Sequence, residues 1–230
     1  MKESSKQAIV IYGPPGSGKG TQADLLARKY DFIHFDTGRY LESLYRNPRL
    51  RKNPKIAFEK KLFDTGKLNT PSWVLKLVTE ATKKIASAGS GIVYSGSPRT
   101  IFEALGDDKN KGLFETLIKL YGKKNIQVFK IKIRFQTSAK RNSKRLVCSV
   151  CGLPILAASG LKSCAFCGGK ARKRTLDNPK VIKVRLKEYE ERTLPIVKEA
   201  KKLGIEVTEI NGEPAPYKVH ESIVKKLGLR

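Results

Sequence analysis

The stretch of sequence that decides the fold is Ala8-Ile-Val-Ile-Tyr-Gly-Pro-Pro-Gly-Ser-Gly-Lys-Gly-Thr-Gln22. A short apolar run, Ala8–Tyr12, leads into the pattern G-x-x-x-x-G-K at Gly13–Lys19, and an amphipathic stretch to Tyr30 follows. Glycines let successive backbone N–H groups turn inward around phosphate oxygens, while the helix N-terminus and the lysine supply positive charge. A turn that only joined strand to helix would not need a lysine at this spacing. The sequence therefore predicts a phosphate-binding loop.

The residue after Lys19 distinguishes this loop from the generic pattern. Gly20 stands where a serine or threonine often supplies a magnesium ligand, and the hydroxyl comes one residue later, at Thr21. We predict that the phosphates of a nucleotide contact the following loop residues: Gly13, Gly16, Ser17, Gly18, Lys19, Gly20 and Thr21.

The rest of the chain alternates short apolar runs with amphipathic stretches, the pattern typical of a parallel sheet. Thr70-Pro71 predicts a helix start, Gly66 and Gly89 predict helix ends, and apolar residues at three-to-four spacing predict one long helix from Pro179 to Leu203. The predicted strands are Ala8–Tyr12, Phe32–Phe35, Gly91–Tyr94, Ile126–Phe135 and Ile205–Ile210.

Composition limits the class of protein. The chain of 230 residues, 40% of them hydrophobic, is long enough for one α/β domain with a sizeable core. It has neither an apolar run of roughly 18 residues, as a membrane span needs, nor a signal-peptide apolar region. We expect a monomeric, cytoplasmic protein without a membrane partner. The net charge of +26 is spread over presumed helices, which favours a phosphate-rich small ligand over nucleic acid.

The segment Val147–Arg174 interrupts the alternation and contains all four cysteines, so it reads as an insertion. Two Cys-x-x-Cys pairs are separated by twelve residues, a spacing close to that of zinc ribbons. Four thiolates leave no open coordination position, so we predict a structural Zn²⁺. Disulfides and a nucleic-acid-binding ribbon are the alternatives. The predicted ligands are Cys148, Cys151, Cys164 and Cys167.

The loop, with glycine after the lysine, resembles the opening signature of adenylate kinases, and further blocks follow in that family's order. They are Asp36-Thr-Gly-Arg39, Gly66-Lys-Leu-Asn69, Gly96-Ser-Pro-Arg-Thr100, Arg141-Asn-Ser-Lys-Arg145, the cysteine insertion, Arg174-Thr-Leu-Asp177 and Arg185. The resemblance covers almost the whole chain. It implies a single domain, 1–230, with a P-loop NTPase-type five-stranded parallel sheet flanked by helices, a helical monophosphate-binding lobe at 37–70 and a zinc-binding lid at 146–176.

The resemblance also implies reversible transfer of the γ-phosphate of MgATP to a nucleoside monophosphate, with AMP as the leading acceptor. Such a transfer needs fixed cations and exclusion of water more than it needs a proton-transfer group. By resemblance the cations that surround the transferred group are Lys19, Arg99, Arg141, Arg145, Arg174 and Arg185. Arg141 and Arg145 belong to the ATP side, and the monophosphate side comprises Thr37, Arg39, Glu42, Lys67, Leu68, Asn69, Gly96, Arg99, Glu103, Arg174 and Arg185.

Four positions depart from that family's usual residues: Ser95 replaces an aspartate that helps to hold hydrated magnesium, Ser97 a phenylalanine, Glu42 an arginine and Glu103 a glutamine. We expect Asp36 to compensate for the first. We hypothesise that Arg39 takes over the phosphate contact while Glu42 pairs with Arg39 or Arg46. A carboxylate at Glu103 only accepts hydrogen bonds, which suits guanine and makes GMP a rival acceptor, unless Glu103 is a solvent-facing helix residue. A degenerate protein that binds nucleotide or nucleic acid with little turnover is the other alternative.

Overall fold

In the computed structural model, which describes residues 6–50, 52–156, 159–173 and 175–229, eight strands form two sheets. The strands are β1 (Ala8–Tyr12), β2 (Ile33–Phe35), β3 (Ile92–Tyr94), β4 (Ile126–Lys132), β5 (Leu146–Cys148), β6 (Pro154–Ile155), β7 (Ala171–Lys173) and β8 (Glu206–Asn211).

The α-helices of these same residue ranges connect the strands or extend from them. They are α1 (Lys19–Tyr30), α2 (Thr37–Arg46), α3 (Pro54–Asp64), α4 (Pro71–Ser87), α5 (Ile101–Leu105), α6 (Leu113–Tyr121), α7 (Phe135–Lys144), α8 (Pro179–Glu188), α9 (Leu194–Lys202) and α10 (Pro216–Leu227). Short 3₁₀ turns occupy Pro48–Leu50, Lys123–Asn125 and Thr175–Asp177.

The central sheet has the strand order β2-β3-β1-β4-β8, and every pair in it is parallel. The prediction of a five-stranded parallel sheet is confirmed, with shifts of about one residue at most strand ends. The exception is β4, which ends at Lys132, three residues before the predicted end. There the backbone N–H of Arg134 donates to the Glu213 carboxylate at 2.6 Å, and Phe135 begins α7. The predicted strand was too long because Phe135 is apolar and continues the apolar pattern of β4, although it is the first residue of α7.

Helices cover both faces of the sheet, so its strands are apolar on both sides, as in other parallel sheets. On one face Val10 of β1 packs in a cluster with residues of α4, α6 and α9. On the other face Ile9 and Ile11 pack with residues of α1 and α10. Because alternate residues of a strand point to opposite faces, β1 is buried along its whole length.

The predicted helix boundaries are confirmed. Helix α4 begins at Pro71, and Gly66 and Gly89 follow the ends of α3 and α4 with positive φ values of 82° and 77°. The long helix after Pro179 runs as predicted but contains a π-helical turn at Tyr189–Thr193 between α8 and α9. Pro195 in the next turn lacks the amide hydrogen of a regular α-helical hydrogen bond, which is consistent with this irregularity.

The cysteine-containing segment forms the second sheet, an antiparallel one of order β6-β5-β7. Its small apolar cluster consists of Cys148, Ile155 and Cys164. In the described ranges of the chain, no helix has both the length and the apolar content that crossing a bilayer would require.

Candidate active site

The loop predicted to bind phosphate lies between β1 and α1, at the carboxyl ends of the parallel strands, where open α/β sheets bind their ligands. Gly16 has a φ of 80°, and a side chain there would meet Asn142 and the carbonyl of Ser138 on α7. The Ser138 hydroxyl donates to the Pro15 carbonyl at 2.6 Å. Helix α7 therefore packs against the loop and supports it. Because of this close approach and the positive φ, residue 16 must be glycine.

Lys19 lies at the start of α1 and donates from Nζ to the carbonyls of Gly13, at 2.6 Å, and Pro14, at 3.0 Å. Burial lowers the pKa of this lysine, and the charges of three arginines, Arg99, Arg185 and Arg145, lower it further, against the opposing charge of Asp36. Positive charge is thus concentrated around Lys19, and anionic phosphates would relieve the repulsion.

A cavity of about 410 Å³ lies between the loop, the end of β3, helices α2 and α8, and the small antiparallel sheet. Most predicted site residues line it: Gly13, Gly16, Gly18, Lys19, Gly20, Thr21, Arg39, Glu42, Leu68, Gly96, Arg99, Arg145 and Arg185. The sequence positions of these residues range from 13 to 185. Their convergence on one cavity supports the choice of residues.

One buried carboxylate, Asp177, orients two of the predicted cations. Its two oxygens accept from Nε and Nη2 of Arg145 in a bidentate pair, with the Nε contact at 2.7 Å. Nη1 of Arg185 lies 3.8 Å from the same carboxylate and 3.3 Å from the Leu176 carbonyl. The Asp177 side chain is only 4% exposed. Because planar guanidinium groups bind a carboxylate in a fixed geometry, Asp177 holds Arg145 at the cavity wall, and it lies within ion-pair distance of Arg185.

Two further predicted cations have different surroundings. Arg99 donates from Nε to the Gly96 carbonyl at 2.7 Å, and its own carbonyl accepts from Thr193 of the π-helical turn at 3.0 Å. Arg141 does not line the cavity. Its guanidinium donates to the carbonyls of Gly212, at 2.9 Å, and Glu213, at 3.0 Å, after β8. Arg174 lies outside the described residues.

A smaller pocket of about 40 Å³ adjoins the cavity on the side of α2. The residues predicted for the monophosphate side that line it are Thr37, Lys67, Leu68, Asn69, Gly96, Arg99 and Glu103. Asn69 is itself held inside the fold, since its amide donates to Tyr45 Oη at 2.9 Å and to the carbonyl of Glu59 at 2.7 Å. Ser17 is buried and contributes no side chain to either pocket.

The four cysteines come together in the antiparallel sheet and are all free of disulfides. Their sulfur atoms lie within 4.8 Å of one another, with Cys148 and Cys167 at 3.4 Å and Cys151 and Cys164 at 3.7 Å. Tetrahedral zinc with bonds of about 2.3 Å places thiolates roughly 3.8 Å apart, so this donor set fits Zn²⁺. The disulfide alternative is wrong.

Comparison with known proteins agrees with this geometry. The family model described as adenylate kinase matches residues 11–205. The chain belongs to the adenylate kinase family. Three adenylate kinases illustrate the similarity. The one from Methanothrix thermoacetophila is 33% identical over 224 residues, covering 95% of this chain and 97% of the relative. The one from Pelobacter propionicus is 32% identical over 192 residues, covering 82% of each, and the one from Lactobacillus johnsonii is 30% identical, covering 95% and 97%.

Within this adenylate kinase fold, Glu103 is buried, with 3% exposure, so the expectation of a solvent-facing residue is wrong. Its carboxylate accepts from the Arg99 backbone N–H at 2.9 Å and from the Thr100 hydroxyl at 3.1 Å, while Thr100 caps α5. Burial raises the pKa of Glu103, against these hydrogen bonds and the charges of Arg99 and Arg192. Both oxygens therefore serve the start of the helix, which weakens the argument for a guanine-reading carboxylate.

Arg46 Nη2 lies 4.0 Å from the Glu42 carboxylate, which agrees with one of the two pairings we expected. Arg39 instead faces Asp24 at 3.5 Å and Asp36 at 3.4 Å, and its Nη2 lies 3.5 Å from the Gly152 carbonyl of the antiparallel sheet. Arg39 thus joins the two walls of the cleft.

Sequence reasoning missed three polar residues that line the cavity or contact residues lining it: Asp24, His34 and Asp177. In the sequence, Asp177 is the last residue of the motif Arg174-Thr-Leu-Asp177 and nothing more marks it. Asp24 lies in the middle of an ordinary amphipathic helix. Nothing in their local spacing distinguishes them from surface or cap residues. Their partners are distant in sequence, so only the folded chain shows what they contact.

Proposed function

We propose that this chain catalyses reversible transfer of the ATP γ-phosphate to AMP, giving two ADP. The observation that carries the proposal is the grouping of Lys19 with Arg99, Arg145 and Arg185 around one cavity at the carboxyl end of the sheet. Arginines fixed before the substrate arrives stabilise the charge of a transferring phosphoryl group without reorganising during the reaction. The relatives to which the chain is similar are adenylate kinases, so GMP as acceptor and a degenerate binding protein are not favoured.

Each group of residues has a distinct role in this proposal. The glycine loop and Lys19 bind the donor phosphates through backbone N–H groups and the ammonium group. Arg145 and Arg185, oriented by Asp177, contact the phosphoryl group in transfer, with Arg99 and Arg174 on the acceptor side. Segments 37–70 and 146–176 are the lobe and the lid that exclude water by closing over the nucleotides. Arg141 would contact ATP from beside Gly212.

The oxygen donors of the cleft fit the Mg²⁺ that accompanies ATP. The Asp36 carboxylate and the Ser95 hydroxyl line the same cavity as Lys19, and Mg²⁺ prefers oxygen ligands while keeping several of its waters. When bound, the metal neutralises charge on the transferred phosphoryl group.

A coupled assay of ADP formation with AMP, GMP, CMP and UMP, with and without Mg²⁺, tests the proposal. We expect turnover with AMP to exceed that with the other three monophosphates and to depend on Mg²⁺. Absence of turnover with AMP under conditions where a nucleotide binds would overturn it and favour a binding protein.

Replacing Arg39 with alanine is expected to raise the KM for AMP several-fold, because the guanidinium would no longer offer charge to a monophosphate in the cavity that it lines. Steady-state rates at saturating MgATP measure the change. The exposed Arg134, which lies between β4 and α7 and lines neither pocket, gives a matched control as Arg134→Ala. An unchanged KM for AMP in Arg39→Ala would contradict a role in binding the monophosphate.

We also propose that the four cysteines hold a structural Zn²⁺. The apolar cluster of the small sheet contains two of the thiols themselves, so little core remains without the metal. Cys148→Ser is expected to lower the zinc content well below one ion per chain and to make the segment from β5 to β7 sensitive to protease.

Elemental analysis and limited proteolysis measure these effects, with Ser163→Ala, an exposed neighbour, as the control. Full zinc content and parental protease resistance in Cys148→Ser would contradict the zinc proposal.

A further inference from the structure

Helix α3 carries a buried carboxylate that none of the roles described above uses. Among the residues of this helix, all of which lie in a described range, Glu59 alone is buried, and its side chain is 0% exposed. The neighbouring Phe58 is 54% exposed. A helix that needed only packing would bury an apolar side chain, because a carboxylate inside a protein is costly unless it is paired and hydrogen-bonded. The contacts of Glu59 therefore decide why a carboxylate stands at this position.

These contacts lie mainly on the chain segment between α3 and α4. Glu59 Oε2 accepts from the Asn69 side-chain amide at 2.9 Å and from the Thr70 backbone N–H at 2.9 Å. Glu59 Oε1 forms an ion pair with Lys55 Nζ at 2.8 Å. Burial raises the pKa of Glu59, but the hydrogen bonds from Lys55, Thr70 and Asn69 outweigh it, and the net shift is downward. Glu59 is therefore a carboxylate, which only accepts hydrogen bonds.

The amide of Asn69 has one orientation as a result. The backbone carbonyl of Glu59 accepts from Asn69 Nδ2 at 2.7 Å, in addition to the carboxylate. Because both Glu59 groups are acceptors, the amide nitrogen and not the oxygen must face them. Tyr45 Oη of α2 lies 2.9 Å from the same nitrogen. Asn69 therefore connects α2 and α3 with the wall of the smaller pocket, which it lines.

The same segment, Gly66–Thr70, packs closely on α8 at its other end. Gly66 has a φ of 82°, and a Cβ there would lie 3.2 Å from the side chain of Arg185. Between the two ends lie Lys67 and Leu68, which line the smaller pocket, and Leu68 also lines the larger cavity. A segment with contacts at both ends presents one wall before a nucleotide arrives, which lowers the cost of ordering it on binding.

We propose that Glu59 is a positioning residue for the nucleoside monophosphate and acts through Asn69 and Thr70 on the pocket wall formed by Gly66–Thr70. The inference rests on the proposed function, because it takes AMP as the bound acceptor. Loss of Glu59 weakens binding of AMP by leaving this wall to be ordered when the nucleotide binds. The phosphates of ATP bind at the glycine loop between β1 and α1, which Glu59 does not contact, so the donor side keeps its affinity.

Equilibrium binding of AMP to the full chain, measured by calorimetry, tests this role together with steady-state rates. Glu59→Met keeps a similar volume but removes the oxygens that accept from Asn69 and Thr70. We expect the Kd and the KM for AMP to rise about tenfold, because hydrogen bonds to a charged group are lost. The KM for MgATP and the kcat at saturating AMP should stay within about twofold of the parent values. An unchanged Kd for AMP, or an equal rise in the KM for MgATP, would overturn the proposal.

Glu59→Gln separates hydrogen bonding from charge. Glutamine keeps one oxygen that can accept from Asn69 and Thr70 and gives up only the ion pair with Lys55, whose side chain is partly exposed. We expect its Kd for AMP to lie within about threefold of the parent value. Thermal unfolding of each variant verifies the fold. A loss of AMP affinity as large as in Glu59→Met, at parental thermal stability, would show that the charge matters and not the position of the wall.

Asn69→Ala removes the same contact from the other side, and it carries the test if Glu59→Met does not fold. We expect a several-fold rise in the Kd for AMP, and in the double variant with Glu59→Gln a rise smaller than the product of the two single effects. An unchanged Kd in Asn69→Ala, or a full product in the double variant, contradicts action through Asn69. Asp64→Asn on the exposed face of α3 is the matched control and should bind AMP as the parent does.

The two proposals fail in different ways. A parent protein that binds AMP but forms no ADP from ATP and AMP overturns the proposed function, while calorimetry with AMP still reports the effect of Glu59 on the pocket wall. A parent that binds no AMP overturns both. Turnover by the parent with an unchanged Kd for AMP in Glu59→Met and Asn69→Ala overturns only the positioning role.

Discussion

Replacing Lys19 with methionine is expected to lower kcat/KM for MgATP and AMP by about three orders of magnitude, the larger end of what loss of one preorganised charge costs. Methionine has a similar length, so the glycine loop keeps its packing against α7. What is lost is the ammonium group, which donates to the Gly13 and Pro14 carbonyls in the free loop and which we propose contacts the donor phosphates. Burial and three arginines lower the pKa of this lysine in the free protein. The arriving phosphates therefore gain an ammonium group whose charge the free cleft leaves poorly compensated.

Coupled ADP formation measures the rates, and binding of ATP by calorimetry separates affinity from turnover. Lys76→Met is the matched control, because Lys76 is an exposed residue on α4 whose loss removes the same charge from the protein as a whole. If Lys76→Met lowered the rate as much as Lys19→Met, the effect would come from net charge and not from the loop.

The glycine loop could be predicted from the sequence because the residues that mark it lie close together along the chain. Strand, glycines, lysine and helix follow one another within Ala8–Tyr30, and the structure places them as predicted. The two residues of each Cys-x-x-Cys pair are also close together along the chain. The two pairs need only to meet each other to form a group of four sulfur atoms. In both cases the spacing along the chain nearly fixes the geometry in space.

Other residues of the candidate site were harder to predict, because their contacts lie far away in sequence. Glu103 reads as a base-recognition residue or a surface residue, yet it is buried and its oxygens contact the start of α5. His34 occupies a short strand with no motif, and its partners are ten and sixty-one residues away. Arg141 matches a family block, but its guanidinium lies against the carbonyls after β8. A motif assigns a residue type to a position without fixing its contacts.

The net charge of +26 combines cations of the cleft with cations of the surface, and the two groups differ in their surroundings. In the cleft, burial together with the charges of Arg99, Arg185 and Arg145 lowers the pKa of Lys19. Some of the others are exposed lysines in ion pairs, such as Lys60 with Asp64 on α3 and Lys111 with Glu115 of α6. Exposed pairs of this kind contribute little to stability, so the excess charge on the surface says less about function than the few charges that face the cavity.

Asp177→Asn is expected to lower kcat by about two orders of magnitude, because it misorients Arg145 and Arg185 together. Misplacement of a catalytic group by about 1 Å costs roughly a hundredfold in rate. The amide keeps the volume of the carboxylate but turns one N–H toward a guanidinium group that can only donate. The bidentate pair with Arg145 is then lost, and the contact to Arg185 weakens.

The pattern of kinetic changes identifies the cause. Asp64→Asn is the matched control, since Asp64 pairs with Lys60 on an exposed face of α3 and its loss should leave kcat unchanged. If Asp177 acts by orienting arginines toward the transferred phosphoryl group, kcat falls more than the KM for either nucleotide rises, and Asp177→Glu recovers part of the rate. A fall in thermal stability with kcat preserved would mean instead that Asp177 serves only to pack the 3₁₀ turn Thr175–Asp177 against α8. The two arginines would then need another source of orientation in the bound state, and the lid closure proposed for 146–176 would have to supply it.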